Sequence, residues 1–233
     1  MLDKLKSNLK NLSNPTQADI LSRFFKTGKG DYGEGDKFLG IKVPVQREIA
    51  KEYIDLGFED LQSLLDSDIH EHRLVALLIL VQKYSKGDVQ FQEKIYKFYI
   101  KNSKRVNNRD LVDLSAPNIV GNYLLNQDKS LIYTFAKSKN LRERRISIIA
   151  TYTFIRNNQF VDTFQIAEIL LQDTHDLIHK AVGRMLRELG KRNQIQEEIF
   201  LKIHYKNMPR TMLRYAIEKF EENLRQKYLK GFM

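Results

Sequence analysis

Apolar residues recur at three- and four-residue spacing almost from end to end of this chain, and no stretch alternates in the manner of a strand. Leu2, Leu5, Leu9 and Leu12 make a first amphipathic helix with lysines on its other side. Asn14-Pro15 reads as an N-cap followed by a first helical residue, opening a helix to about Phe25. After a glycine-rich stretch from Thr27 to Gly40, Pro44 starts the next helix, Val45 to Ile54. The pattern then predicts helices near 58–66, 70–84, 88–103, 108–126 with a break at Pro117, 128–138, 141–156, 159–171, 174–190, 194–205, 209–219 and 221–229. About thirteen helices joined by short turns define an all-α fold.

A longer period runs through these helices. Arg73-Leu-Val-Ala, Asp110-Leu-Val-Asp, Arg145-Ile-Ser-Ile, Lys180-Ala-Val-Gly and Arg214-Tyr-Ala-Ile follow one another at about 37, 35, 35 and 34 residues. That is the helix-pair period of an α-α superhelix, a solenoid in which each pair buries its apolar face on its neighbours. The expected organisation is one domain over 1–233, with N-terminal helices and a glycine-rich loop in 1–56 and helix-pair repeats in 57–233. Equivalent positions in a solenoid line one concave surface. Arg73, Arg145, Lys180 and Arg214 would form a basic ridge suited to a phosphate backbone, or simply a solvated inner face. Asp110, with Asp113 one turn on, breaks the ridge.

Charge points the same way. The 233 residues carry a formal net charge of +10, which favours a polyanionic partner, most often nucleic acid. An apolar fraction of 42% excludes a disordered chain. The longest apolar run, Leu74 to Val81, is far too short for a membrane span. Absence of cysteine excludes disulfides and thiolate chemistry, and an N-terminus without an apolar signal core makes the cytoplasm the expected compartment.

Several local motifs compete for a chemical role. Gly28-Lys29-Gly30-Asp31-Tyr32-Gly33 has the glycine spacing of a dinucleotide loop, but it follows a helix rather than a strand. It is expected to be a flexible loop, or one approaching phosphates through its amides, with no nucleotide cofactor. His175 and His179 share a helix face without the further ligands a metal site needs, so no metal is assigned. His179 is a candidate phosphate contact. Arg109, Asp110 and Asp113 crowd on one helix face. The two acids are salt-bridged to Arg109 and its neighbours, or else one of them faces a DNA groove. A carboxylate facing DNA repels phosphate, and is better explained by stabilising an oxocarbenium-like sugar and orienting water.

Longer runs carry a family resemblance. Phe24-Phe25-Lys26-Thr27-Gly28, Tyr32-Gly33-Glu34-Gly35-Asp36, Phe38-Leu39-Gly40-Ile41 and Val43-Pro44 resemble the N-terminal signature of the DNA alkylation repair family of AlkD type. So do Asn107-Asn108 with Asp110-Leu111-Val112-Asp113, Arg144-Arg145-Ile146, His175 to Gly183, and Met208 to Tyr215. The resemblance implies a stack of HEAT-like helix pairs holding duplex DNA, alkylated or branched, in a basic concave groove. It also implies a cofactor-free monofunctional glycosylase for cationic 3- and 7-alkylpurines, acting as a monomer. Asp113 falls at the family's catalytic aspartate and Arg145 at its DNA-contacting arginine; Arg73, Arg142, Lys180, Arg214 and His179 complete the expected DNA contacts.

The chain departs from the family at three places. Tryptophan is usual where Arg109, Arg142 and Arg184 stand here, and positions 109 and 184 flank the lesion in active members. This chain has no tryptophan. A guanidinium forfeits the indole's attraction for a cationic lesion, about 0.5–2 kcal/mol per contact, and adds repulsion. Arg109 could also pair with Asp113. A host reading an arginine codon as tryptophan would give the same three substitutions. The alternatives to excision are a glycosylase-derived protein that only holds DNA, and a helical-repeat scaffold for protein partners.

Overall fold

The computed structural model describes all residues from Met1 to Met233. Its regular structure is helical, apart from an isolated parallel bridge between Lys37 and Ile69. By contact the chain divides into two compact units, Met1–Ser115 and Ala116–Met233.

The first unit contains α1 (Leu2–Asn11), α2 (Pro15–Phe24), α3 (Val43–Glu52), α4 (Phe58–Leu65), α5 (His70–Lys86) and α6 (Val89–Lys101), and nearly all of α7 (Arg109–Ala116). α5 is its hub. Every residue from His70 to Leu80 is buried, so this helix is covered on all faces, as a helix without a polar side must be. α3, α4 and α6 pack against it. Asn14 caps α2 as read, its Oδ1 accepting from Gln17 N at 3.0 Å; Asp88 caps α6, its Oδ1 accepting from Phe91 N at 2.8 Å. α3 starts at Val43, two residues before expectation, because Pro44 sits within its first turn, where no N–H is needed.

The second unit opens with the break expected at Pro117. Pro117–Gly121 form a π-helical turn that leads into α8 (Asn122–Leu124). Then follow α9 (Ser130–Ala136), α10 (Leu141–Arg156), α11 (Val161–Ile169), α12 (Asp176–Gly190), α13 (Gln194–His204), α14 (Arg210–Ala216) and α15 (Glu222–Lys230). α10 is the second hub, buried from Arg145 to Thr151, with α9, α11, α12 and the π turn against it. The proline's carbonyl is not wasted: Thr153 Oγ1 donates to it at 2.7 Å. α12 packs closely on α14, and the closeness depends on Gly183. A Cβ there would lie 2.4 Å from Met212 O and 2.6 Å from Tyr215 Cβ. Arg187 and Glu218 pair across the same contact.

Candidate functional site

Arg109, Asp110 and Asp113 lie on α7, but they do not cluster as one ionic group. Asp110 is taken by His70, whose Nε2 lies 2.8 Å from Asp110 Oδ2. Arg109 is held over aromatic rings, its guanidinium carbon 4.3 Å from the Phe24 centroid and 5.4 Å from that of Phe25. The expected Arg109 pairing is thus replaced by cation–π contact, since two ring faces lie within reach of the guanidinium. Asp113 is half-buried, close enough to Tyr99 for its charge to help burial hold that phenol protonated.

Behind α7 lies a buried polar network that sequence reasoning passed over. Asp36 Oδ1 meets Arg73 Nη2 at 2.7 Å and accepts from Asn107 Nδ2 at 2.6 Å; Asp36 Oδ2 accepts from Asn108 Nδ2 at 3.2 Å. His70 Nδ1 lies 3.5 Å from Asp36 Oδ2, and its ring stacks on Phe38 and Phe25 with centroids 4.5 and 5.4 Å away. Burial alone would lower the His70 pKa, but hydrogen bonds to Asp110 and Asp36 outweigh it and raise it to about 9. Asp36 also feels burial first, yet His70, Arg73 and the two asparagines hold it below the usual carboxylate value. His72 goes the other way: burial, then the charge of Lys6, pushes it down to about 4, and its Nδ1 shares a hydrogen bond with Ser67. The signal for this network was visible in His70-Glu71-His72-Arg73, four polar residues opening a helix that is otherwise apolar.

The far end of the glycine-rich stretch is anchored to α5. Glu71, fully buried, accepts the backbone N–H groups of Leu39, Gly40 and Ile41 at 2.9, 2.8 and 3.3 Å. Those amides are unavailable to phosphate. Gly40 adopts φ +83, in the left-handed region that glycine enters without strain, and its α-carbon lies against Asn14 O and Ala18.

The expected basic ridge separates into two kinds of residue. Arg73 is 4% exposed and committed to Asp36 and the Ser67 carbonyl, so it does not line a solvent-facing surface. Its place in the first turn of a helix covered on every side is the physical reason. Arg145 is similarly buried and donates from Nη1 to Leu177 O at 2.7 Å, at the start of α12. Lys180 is half-exposed and pairs with Asp176 one turn back at 2.6 Å. Arg214 is exposed on α14, in a cleft shared with Arg225 and Glu218. Arg142 and Arg184 are half-buried on α10 and α12. His179 Nε2 is hydrogen-bonded to Asp173 O at 2.5 Å, and His175 Nδ1 caps α12 by accepting from Leu177 N.

Fold and site define an all-α helical-repeat protein whose polar interior is concentrated where α5 meets α7 and the glycine-rich loop. Its sequence matches the DNA alkylation repair enzyme family over residues 5–220, and the chain belongs to that family, one of DNA repair. A solved structure described as a predicted DNA alkylation repair enzyme from Enterococcus faecalis superposes with a TM-score of 0.70. It is 16% identical, with 90% of this chain and 97% of that one covered, a likeness of fold. No curated protein sequence matches the chain. No helix is long and apolar enough to cross a membrane.

Proposed function

We propose that the chain is a DNA glycosylase that hydrolyses the N-glycosidic bond of cationic 3- and 7-alkylpurines in duplex DNA, with Asp113 as the catalytic carboxylate. The observation that carries this reading is the family match over residues 5–220, together with the aspartate at 113, where the resemblance puts the family's catalytic carboxylate. Asp113 is half-buried on α7, and the Arg109 guanidinium one turn before it lies over Phe24 and Phe25. An alkylated purine already bears positive charge and departs with the C1′–N bonding pair, so no general acid is required. The carboxylate of Asp113 stabilises the oxocarbenium character left on the sugar. Water adds at C1′, and its proton passes to Asp113 or to solvent. Arg214, Lys180 and Arg142, all at least partly exposed, supply phosphate contacts, and Arg184 flanks the lesion. Arg145 acts behind them by holding the first turn of α12, which carries Lys180 and Arg184. Arg73 belongs to the interior of the first unit and is not among the contacts.

The test is release of 7-methylguanine or 3-methyladenine from methylated duplex by the purified protein. Asp113→Asn is expected to reduce the rate by about 100-fold or more, the cost typical of removing a group that stabilises transition-state charge. No release at high enzyme concentration would refute the glycosylase. Complete lack of tryptophan favours a second reading, a family member that holds duplex or branched DNA without excision. In that case binding that weakens steeply with salt persists while no base is released.

A further inference from the structure

α10 and α12 pack side by side in the second unit, and between their C-terminal ends lies an open cleft of about 520 Å³. Tyr152, Arg156 and Asn158 line it from α10 and the turn beyond, and Glu188, Lys191 and Arg192 from the end of α12. None of these residues has a part in the proposed excision or among the phosphate contacts. Arg142 and Arg156 lie at opposite ends of α10, roughly 21 Å apart at a rise of 1.5 Å per residue, too far for one phosphate to touch both.

The charges in the cleft are unevenly matched. Glu188 is the one acid in its wall, and it already holds two cations: Lys191 Nζ at 2.7 and 2.9 Å, and Arg187 Nη2 at 3.3 Å. Arg156 and Arg192 are exposed, and neither side chain makes an ion pair or hydrogen bond within the chain. A cation at the C-terminus of a helix is favoured by the helix dipole, which accounts for one arginine at each helix end. It does not account for two uncommitted guanidiniums on one cleft, where each repels the other. The Tyr152 hydroxyl, half-buried and also without a partner, adds an uncharged donor to the same wall. Asn158 closes α10 in the left-handed region (φ +58), with Gln159 N donating to Phe154 O at 2.9 Å, so the turn that carries this rim is fixed.

Two positive charges with planar N–H forks select an anion that can meet both. A single carboxylate, with one charge and two oxygens, satisfies one fork. We propose that this cleft binds phosphate carrying two negative charges, either as two successive phosphates of a nucleic-acid strand or as one terminal phosphate, with Arg156 and Arg192 meeting one charge each. A strand backbone and a free phosphate monoester share this chemistry. The site needs neither Asp113 nor bond cleavage, so it stands apart from the glycosylase reading.

The experiment uses the full chain with two unalkylated probes: a duplex lacking terminal phosphates, titrated across salt concentrations, and adenosine monophosphate, followed by phosphorus NMR. Arg156→Gln with Arg192→Gln removes the site; Lys202→Gln with Lys206→Gln removes equal charge elsewhere on the second unit. All four side chains are exposed, so both variants should keep the wild-type thermal midpoint. With the duplex, the arginine variant should show a salt slope shallower by about 1.8, two phosphates at about 0.9 each, while the lysine variant keeps the wild-type slope. That result identifies a strand backbone as the ligand. Binding of adenosine monophosphate that the arginine variant alone loses identifies a terminal phosphate. Equal slopes in the wild type and the arginine variant, without monophosphate binding that the variant loses, would overturn the proposal. So would equal losses in the arginine and lysine variants, since net charge and not the cleft would then carry the effect. Release of methylated purines, or its failure, changes none of these outcomes.

Discussion

Under the proposed glycosylase reading, Arg109 is the residue on which the excision rate should turn. Its guanidinium occupies ring faces that lie beside Asp113's helix, where the family usually carries tryptophan. Replacing Arg109 and Arg184 with tryptophan should raise the rate of alkylpurine release about 2- to 30-fold per contact, the equivalent of 0.5–2 kcal/mol of attraction for a cationic base. An unchanged or lower rate in single-turnover assays would show that these positions do not face the lesion. Peptide mass spectrometry of the protein from its native host tests codon reassignment, and arginine at 109, 142 and 184 ends that idea. His70 makes a different claim. Its pKa is raised to about 9 from 6.5, so its contribution to stability is complete below about pH 6.5 and is lost as pH rises through 9. The loss should be on the order of 2–3 kcal/mol, read as a fall in urea midpoint between pH 6 and 9.5. His70→Gln should flatten that dependence; a wild-type midpoint that does not move would mean the imidazole is neutral in the fold.

At the scale of elements, what is local in origin was legible and what is assembled from afar was not. α10 runs over 141–156 as the spacing requires, and Pro117 interrupts its stretch as a missing N–H must. Asn14 caps α2 because side chain and amide are three residues apart. Asp36, by contrast, finds Asn107 and Asn108 more than seventy residues away, and His70 finds Asp110 forty away. No period in the sequence encodes such partners, which is why the glycine-rich loop read as flexible. The repeat anchors misled for a related reason. They share a position along their helices, but α5 and α10 are covered on every side, so Arg73 and Arg145 sank into the interior while Lys180 and Arg214 did not. Helix contacts also make a prediction: Gly183→Ala places a methyl against Met212 O, and should cost about 1–3 kcal/mol of stability by thermal or urea unfolding. A neutral effect would mean that α12 and α14 can separate without cost.

At the scale of the whole molecule, the net charge of +10 matters only through the cations left at the surface. If Lys180, Arg142 and Arg214 each neutralise one phosphate, the logarithm of the duplex association constant should fall with the logarithm of salt at a slope near −2.7 from these three. Arg214→Ala should make that slope shallower by about 0.9; an unaltered slope would remove Arg214 from the interface. The carboxylate of Glu71, closed on the amides of residues 39, 40 and 41, bears on the molecule's history rather than its binding. A chain emerging from the ribosome exposes those amides before Glu71 has been joined to it. Asp36 must wait longer still, until residues 107 and 108 have been made. Residues 36 and 39–41 thus gain these closures only after residues 71, 107 and 108 have been made.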